Sequence, residues 1–213
     1  MTRLALLVLA LVTAIASPAR AQERIELGGA VDVGTLRAIR SVTQIRTFSG
    51  PVLGVQGHLG YKRFALDATY AQANLTPSAG TVGVDEELAD ATLMLRMMVK
   101  PWLRLGLGPH LRASITPSGS SHWSRFEGRA TVTGELIPGL ADAYFEGWYA
   151  LSASSNAQGG GSGAMGAAGG LAVRFPRSPV SLRLTYSADR ATFTAGGDEV
   201  VEQASLAIVL GRY

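Results

Sequence analysis

Three groups of residues in this 213-residue chain are of types that do chemistry. His122 and Ser124, in the stretch "HWS", lie two apart, so on a strand they share one face. A histidine beside a serine is the pairing that turns a hydroxyl into a nucleophile. The acid that would orient the base is poorly placed: Glu135, the closest downstream, is eleven residues from Ser124 along the same segment, at about 3.3 Å each. The second group is "GSGAMG" at 161–166, which has G-x-G-x-x-G spacing. A dinucleotide site needs a strand before that motif and a helix after it. Here a Gly-rich stretch precedes a strand, so Gly159–Gly163 is expected to be a flexible loop. The third group is a set of charges at alternating positions: Asp67, Arg96, Arg104, Glu135, Asp142, Arg174 and Arg183, with Glu127, Arg129, Glu146 and Trp148 beyond them. Lys62 and Lys100 are the only lysines, so the cations are almost all arginine, the side chain suited to buried, bidentate ion pairs. There is no cysteine, and His58, His110 and His122 are scattered, so neither a metal nor a cofactor is expected.

The elements that must position these groups are strands. No segment sustains a helical period, whereas alternation of period two recurs. In "RFALDATYA", Phe64, Leu66, Ala68 and Tyr70 share one face, and Arg63, Ala65, Asp67 and Thr69 the other. "WLRLGLGPHLR" sets Leu103, Leu105, Leu107 and Leu111 against Arg104, His110 and Arg112, and "SLRLTYSAD" repeats the pattern. Ten such segments are expected, near 24–34, 51–60, 63–74, 87–99, 102–113, 122–136, 140–153, 164–175, 180–189 and 200–212. Most are longer than the common strand of about 5–6 residues and match the roughly 9–11 needed to cross a bilayer at a tilt.

The connections alternate between short ones ("GYKR", "KP", "PG" and "PRSP") and five longer ones near 35–50, 75–86, 114–121, 154–163 and 190–199. Short turns on one side and long loops on the other characterise outer-membrane barrels. Tyr61, Phe64, Trp102 and Phe175 near the short turns, and Tyr70, Trp123, Phe126 and Tyr186 near the loops, would form the two interfacial girdles. The expected fold is all-β: a closed antiparallel transmembrane barrel of ten strands, with eight as the alternative. A secreted β-sandwich would also alternate its faces.

Charges facing lipid at mid-depth would cost about 2–4 kcal/mol each, so the third group should face the lumen. Counting depth from the short turns puts Arg96, Arg104, Glu135, Asp142, Arg174 and Arg183 at one level, with Asp67 slightly deeper. Arg104 is then expected near Glu135, and Glu135 beside Asp142. Paired arginines and acids would plug a narrow lumen; a selective ion or solute path is the rival.

The chain closes on "ASLAIVLGRY", an apolar strand-like run with a terminal aromatic. This resembles the C-terminal signature of bacterial outer-membrane β-barrels, and the whole pattern is similar to the small OmpA/OmpX type with two more strands. The resemblance implies that Tyr213 is an assembly signal read by the barrel-assembly machinery. "HWS" is separately similar to the His-x-Ser of outer-membrane lipid A deacylases, which would imply a Ser124 nucleophile with His122 as base; Arg125 departs from that pattern.

The start, "MTRLALLVLALVTAIASPARA", has a basic residue, a short apolar stretch and an A-x-A site before Gln22. It is expected to be a secretory signal peptide over residues 1–21, leaving residues 22–213 as the barrel. Without Arg3 and Arg20 the excess positive charge falls to about +1, so nucleic acid is not an expected partner. The expected partners are outer-membrane lipids, periplasmic chaperones and the barrel-assembly machinery. The expected location is the outer membrane, reached through the periplasm, as a monomer. The functional expectation is a non-enzymatic structural barrel or one that binds through its loops. The alternatives are a narrow channel and a lipid A hydrolase.

Overall fold

The computed structural model describes residues 25–41, 44–156, 160–194 and 196–211. The expected signal peptide and Tyr213 lie outside the described residues.

Ten antiparallel strands follow one another: β1 Ile25–Ser41, β2 Ile45–Tyr61, β3 Phe64–Pro77, β4 Glu86–Lys100, β5 Leu103–Thr116, β6 Gly119–Ile137, β7 Ala141–Ser155, β8 Gly161–Arg174, β9 Val180–Phe193 and β10 Asp198–Leu210. Each pairs with its neighbours in sequence, and β1 pairs with β10, so the sheet closes on itself and leaves no edge. The end carrying Ile25 and Leu210 is termed the lower end, and the other the upper.

The register sets the shape. A row of partners leaves β6 at Glu135 and runs through Asp142, Ala172, Arg183, Ala207, Asp32, Gly54, Ala71, Asp90 and Arg112. It returns to β6 at Trp123, twelve positions from Glu135. A stagger of twelve over ten strands, at about 3.3 Å per residue and about 4.8 Å between strands, tilts the strands by about 40°. The wall then has a radius of about 10 Å, wider than an eight-stranded barrel, whose interior side chains can fill.

Alternation is expressed over most of the wall. Val33, Leu53, Leu66, Leu93, Leu107, Val132, Phe145, Leu171, Leu184, Leu206 and Ile208 point outward and are exposed. With strands of this length and tilt, they form the lipid-facing belt of a transmembrane barrel. The apolar run at 206–210 alternates after all: Leu206 and Ile208 face out, while Ala207 and Val209 are buried with Ala30 inside the β1–β10 seam.

Two expectations are corrected. The long loops expected at 35–50, 114–121 and 190–199 are mostly strand and that at 154–163 is half strand, because residues assigned to them continue the hydrogen-bonded ladder, whereas 78–85 remains a connection between β3 and β4. Trp123 belongs to no girdle. It is in phase with Arg125 and Glu127, faces inward, and packs on Phe193 with ring centroids 5.1 Å apart.

The extended upper part also inverts the usual polarity. Leu36, Phe48, Val52, Leu75, Leu88 and Val201 are buried inside it on one wall, and Trp123, Ala150, Ala164 and Phe193 on another. Its outer surface carries hydrophilic pairs, Arg37 with Glu202, Arg190 with Asp198, and Gln72 with Glu87.

Candidate functional site

Inward positions of successive strands stack charge on charge through the lumen. At the lower rim Arg174 pairs with Asp142, and Glu135 accepts the Gly139 amide of its own turn. Glu135 is the strand partner of Asp142, as expected. Arg104 is not beside Glu135: its partner is Thr131, four residues further into the barrel. The cause is the stagger. Equal counts from the turns do not give equal depth when each strand is displaced along its neighbour, so the seven residues do not form one ring.

Further in, Asp67 lies between His58 Nδ1, 2.5 Å away, and Arg96 Nε, 2.6 Å away. Arg96 Nη1 reaches across to Glu146 at 2.6 Å and to Thr131 Oγ1 at 2.7 Å. Thr131 donates to the same Glu146 oxygen at 2.6 Å, and Arg129 donates to the other at 3.0 Å. Arg129 also donates to Glu127 at 2.8 Å and lies over the Trp148 ring, 5.0 Å from its centroid. Of the sequence-selected residues, Asp67 and Arg96 are therefore drawn into one cluster with Glu127, Arg129, Glu146 and Trp148.

The densest part of the network lies above and consists mostly of residues that the sequence reading did not single out. His110 sits between Glu127, at 2.8 Å from Nδ1, and Asp90, at 2.7 Å from Nε2. Arg112 bridges Asp90 at 2.8 Å and Asp189 at 2.7 Å. Asp189 also accepts Arg125 Nη1 at 2.9 Å and the Trp148 indole N–H at 2.9 Å. Glu127 and Arg125 are almost completely buried. At the upper end Arg40 donates to both oxygens of Glu86 at 2.5 Å and to Glu199 at 2.6 Å. Ser114 adds a hydrogen bond to Glu86 at 2.6 Å, and Arg40 stands 5.4 Å above the Phe48 ring. The missed residues carried a usable signal: Asp90, His110, Arg112, Arg125 and Asp189 all alternate in phase with the inward positions of their strands.

β8 has a different task. Its inward residues, Ala164, Gly166, Ala168, Gly170 and Ala172, are all small, which gives the rings of β6 and β7 room to lie down. A Cβ on Gly166 would be 2.4 Å from Trp148 Cζ2, one on Gly170 2.6 Å from Tyr144 Cε1, and one on Gly161 2.4 Å from Trp123 Cζ3. Two glycines of "GSGAMG" are thus seats for tryptophan rings. The motif lies largely within a strand, correcting the loop expectation for Gly161–Gly163.

His122 and Ser124 point outward from β6, away from the luminal charges. The His122 backbone is tied to Asn156, its N–H donating to Oδ1 at 2.6 Å. Among the described residues no group of three or more His, Asp or Glu side chains could hold a metal ion.

No protein-family model and no curated protein matches the sequence. The fold is similar to solved structures. Against Neisserial surface protein A the identity is 12% and the TM-score 0.42, covering 86% of this chain and 97% of that one. Against Ail, the attachment invasion locus protein of Yersinia pestis, the identity is 8% and the TM-score 0.40, covering 87% and 99%. Against the β domain of the Bordetella autotransporter BrkA the identity is 12% and the TM-score 0.48, covering 87% and 98%. With its closed ten-strand register, outward apolar belt and charged interior, the chain is by fold a transmembrane β-barrel of the outer-membrane type.

Proposed function

We propose that this chain is an integral outer-membrane protein with a structural or surface-binding role, non-enzymatic, and closed to ion flow by its own luminal side chains. The observation that carries this reading is the unbroken succession of ion pairs and imidazole contacts from Asp67 through Arg96, Glu146, Arg129, Glu127, His110, Asp90 and Arg112 to Asp189. Long side chains from opposite walls meet across a space of about 10 Å radius. Charges of both signs interleave, unlike the single-sign rings that select ions. The lower end would face the periplasm, where chaperones and the assembly machinery receive the chain. The upper end would stand outside, offering a rim of strand-borne polar residues together with the 78–85 loop. The protein works as a monomer in this reading, with lipid as its only obligatory partner once assembled.

Planar-bilayer recording tests the closed lumen. The wild type should give no steady conductance. Glu127→Ala combined with Glu146→Ala strands Arg129 and leaves Arg96 on Asp67 alone, and should admit water and anions, seen as new openings. Stable, ion-selective openings in the wild type that this pair of changes does not alter would replace the reading with a channel.

A further inference from the structure

One deep arginine is held differently from the rest. Arg40, Arg96, Arg112, Arg125 and Arg129 each have a carboxylate oxygen within 3.0 Å. Arg183, on β9, does not. The Asp32 carboxylate is 3.6 Å from its Nη2, beyond hydrogen-bond length, and its side chain is 19% exposed. Nη2 donates instead to the neutral Gln56 amide at 2.7 Å, and Gln56 passes its own N–H to Asp32 at 2.8 Å. The Arg183 Nε is buried with no hydrogen-bond partner. Arg96 and Arg125 share that orphaned Nε, yet theirs lie 2.6 Å and 3.3 Å from a carboxylate oxygen. A largely buried guanidinium whose one carboxylate stands off at 3.6 Å is under-compensated, and such a group favours a closer anionic partner.

Arg183 borders a luminal cavity of about 260 Å³. Asp32, Gln56, Tyr144 and Thr185 line it near Arg183, and the buried Leu36, Val52 and Leu88 line it higher up. The other acids that face it, Asp90, Glu146 and Asp189, are each held by an arginine. One side thus offers a cation with amide and hydroxyl groups around it, and the continuation offers an apolar wall. We propose that this cavity binds a small organic carboxylate, its head on the Arg183 guanidinium and its apolar body along that wall. A planar carboxylate matches the arginine fork, and a single negative charge matches a single under-paired cation. Entry is from the lower end, since the Arg40–Glu86–Glu199 cluster and the apolar packing occupy the upper lumen; only the side of entry rests on the closed-lumen reading.

The test uses the folded barrel in a maltoside detergent and calorimetric titration with sodium hexanoate, with hexanamide as the neutral isostere. Hexanoate should bind saturably and at least tenfold tighter than hexanamide, about 1.4 kcal/mol. Arg183→Gln should lose at least tenfold, and Asp32→Asn, which removes the competing carboxylate, should gain several-fold. If Arg183→Gln does not fold, the pair Asp32→Asn with Gln56→Glu decides: it moves the carboxylate onto Arg183 without changing net charge, and should abolish hexanoate binding while the heat-modifiable folded band persists. Equal binding of hexanoate and hexanamide, or no saturable binding by the wild type, overturns the proposal. So does unchanged affinity in folded Arg183→Gln or in the paired variant. Planar-bilayer recording on the same preparation separates the two readings: failed binding in a silent barrel removes the site alone, whereas steady conductance removes the closed lumen alone.

Discussion

Replacing Asp189 by Asn removes the charge on which the densest part of the network converges. The side chain is buried and accepts from Arg112, Arg125 and Trp148. The isosteric amide preserves packing, so the effect is electrostatic. Arg112 keeps Asp90 at 2.8 Å, but Arg125 is left with Glu127 at 3.3 Å as its nearest acid. Breaking a buried pair typically costs about 3–5 kcal/mol. Because one of the two arginines retains a direct partner, the lower figure applies, about 3 kcal/mol or roughly two decades in the folding equilibrium. Guanidinium unfolding of vesicle-inserted protein, followed by tryptophan fluorescence, reads this directly. Adding Arg125→Met to Asp189→Asn removes the stranded charge and should recover part of the loss, with a coupling energy of at least about 1 kcal/mol. A loss below about 0.5 kcal/mol for the single change, or strictly additive effects in the pair, would refute the argument that these charges are paired in a desolvated lumen.

Other expectations follow from the same geometry. Glu135→Ala with Asp142→Ala, at the exposed lower rim, should cost less than about 1 kcal/mol by the same assay, as solvated ion pairs do. Gly166→Ala drives a methyl into the Trp148 ring and the Ala188 carbonyl; it should destabilise by about 1–3 kcal/mol and shift the tryptophan emission. Deleting Tyr213 should slow membrane insertion without blocking export, seen as unfolded periplasmic protein and loss of the heat-modifiable band. Ser124→Ala should leave lipid A acylation the same as in cells expressing the wild type, and a wild-type-dependent change in acylation lost in the variant would make the protein an enzyme.

Which face each residue takes was readable from the chain, because alternation is a local property of two-residue period. Arg96, Arg183 and Asp67 could be assigned inward on that basis, and the outward leucines likewise. Depth was not readable in the same way. It depends on the stagger accumulated around ten strands, a property of closure that no single segment encodes, and neglecting it put Arg104 beside Glu135. Strand ends were also obscured. Residues 35–50 and 190–199 lose the apolar-out pattern where the wall leaves the lipid-facing belt, so a change of surroundings looked like the end of a strand. The glycines of β8 were visible, but their purpose lies in the Trp123, Tyr144 and Trp148 rings of other strands.

The reversed polarity of the upper wall has a thermodynamic consequence. Where apolar residues face inward and hydrophilic ones outward, association is driven by expulsion of water, with the large heat-capacity signature that entails. Where leucines face lipid and ions face inward, that driving force is largely absent, and hydrogen bonding and electrostatics dominate. One continuous sheet therefore joins two regimes that answer to different solvents. Urea and cooling should loosen the rim of Phe48, Leu75, Trp123 and Phe193 first, while a change of detergent or lipid should act on the belt below. The protein is then a membrane barrel whose upper rim adds an inward apolar lining around the Arg40–Glu86–Glu199 cluster.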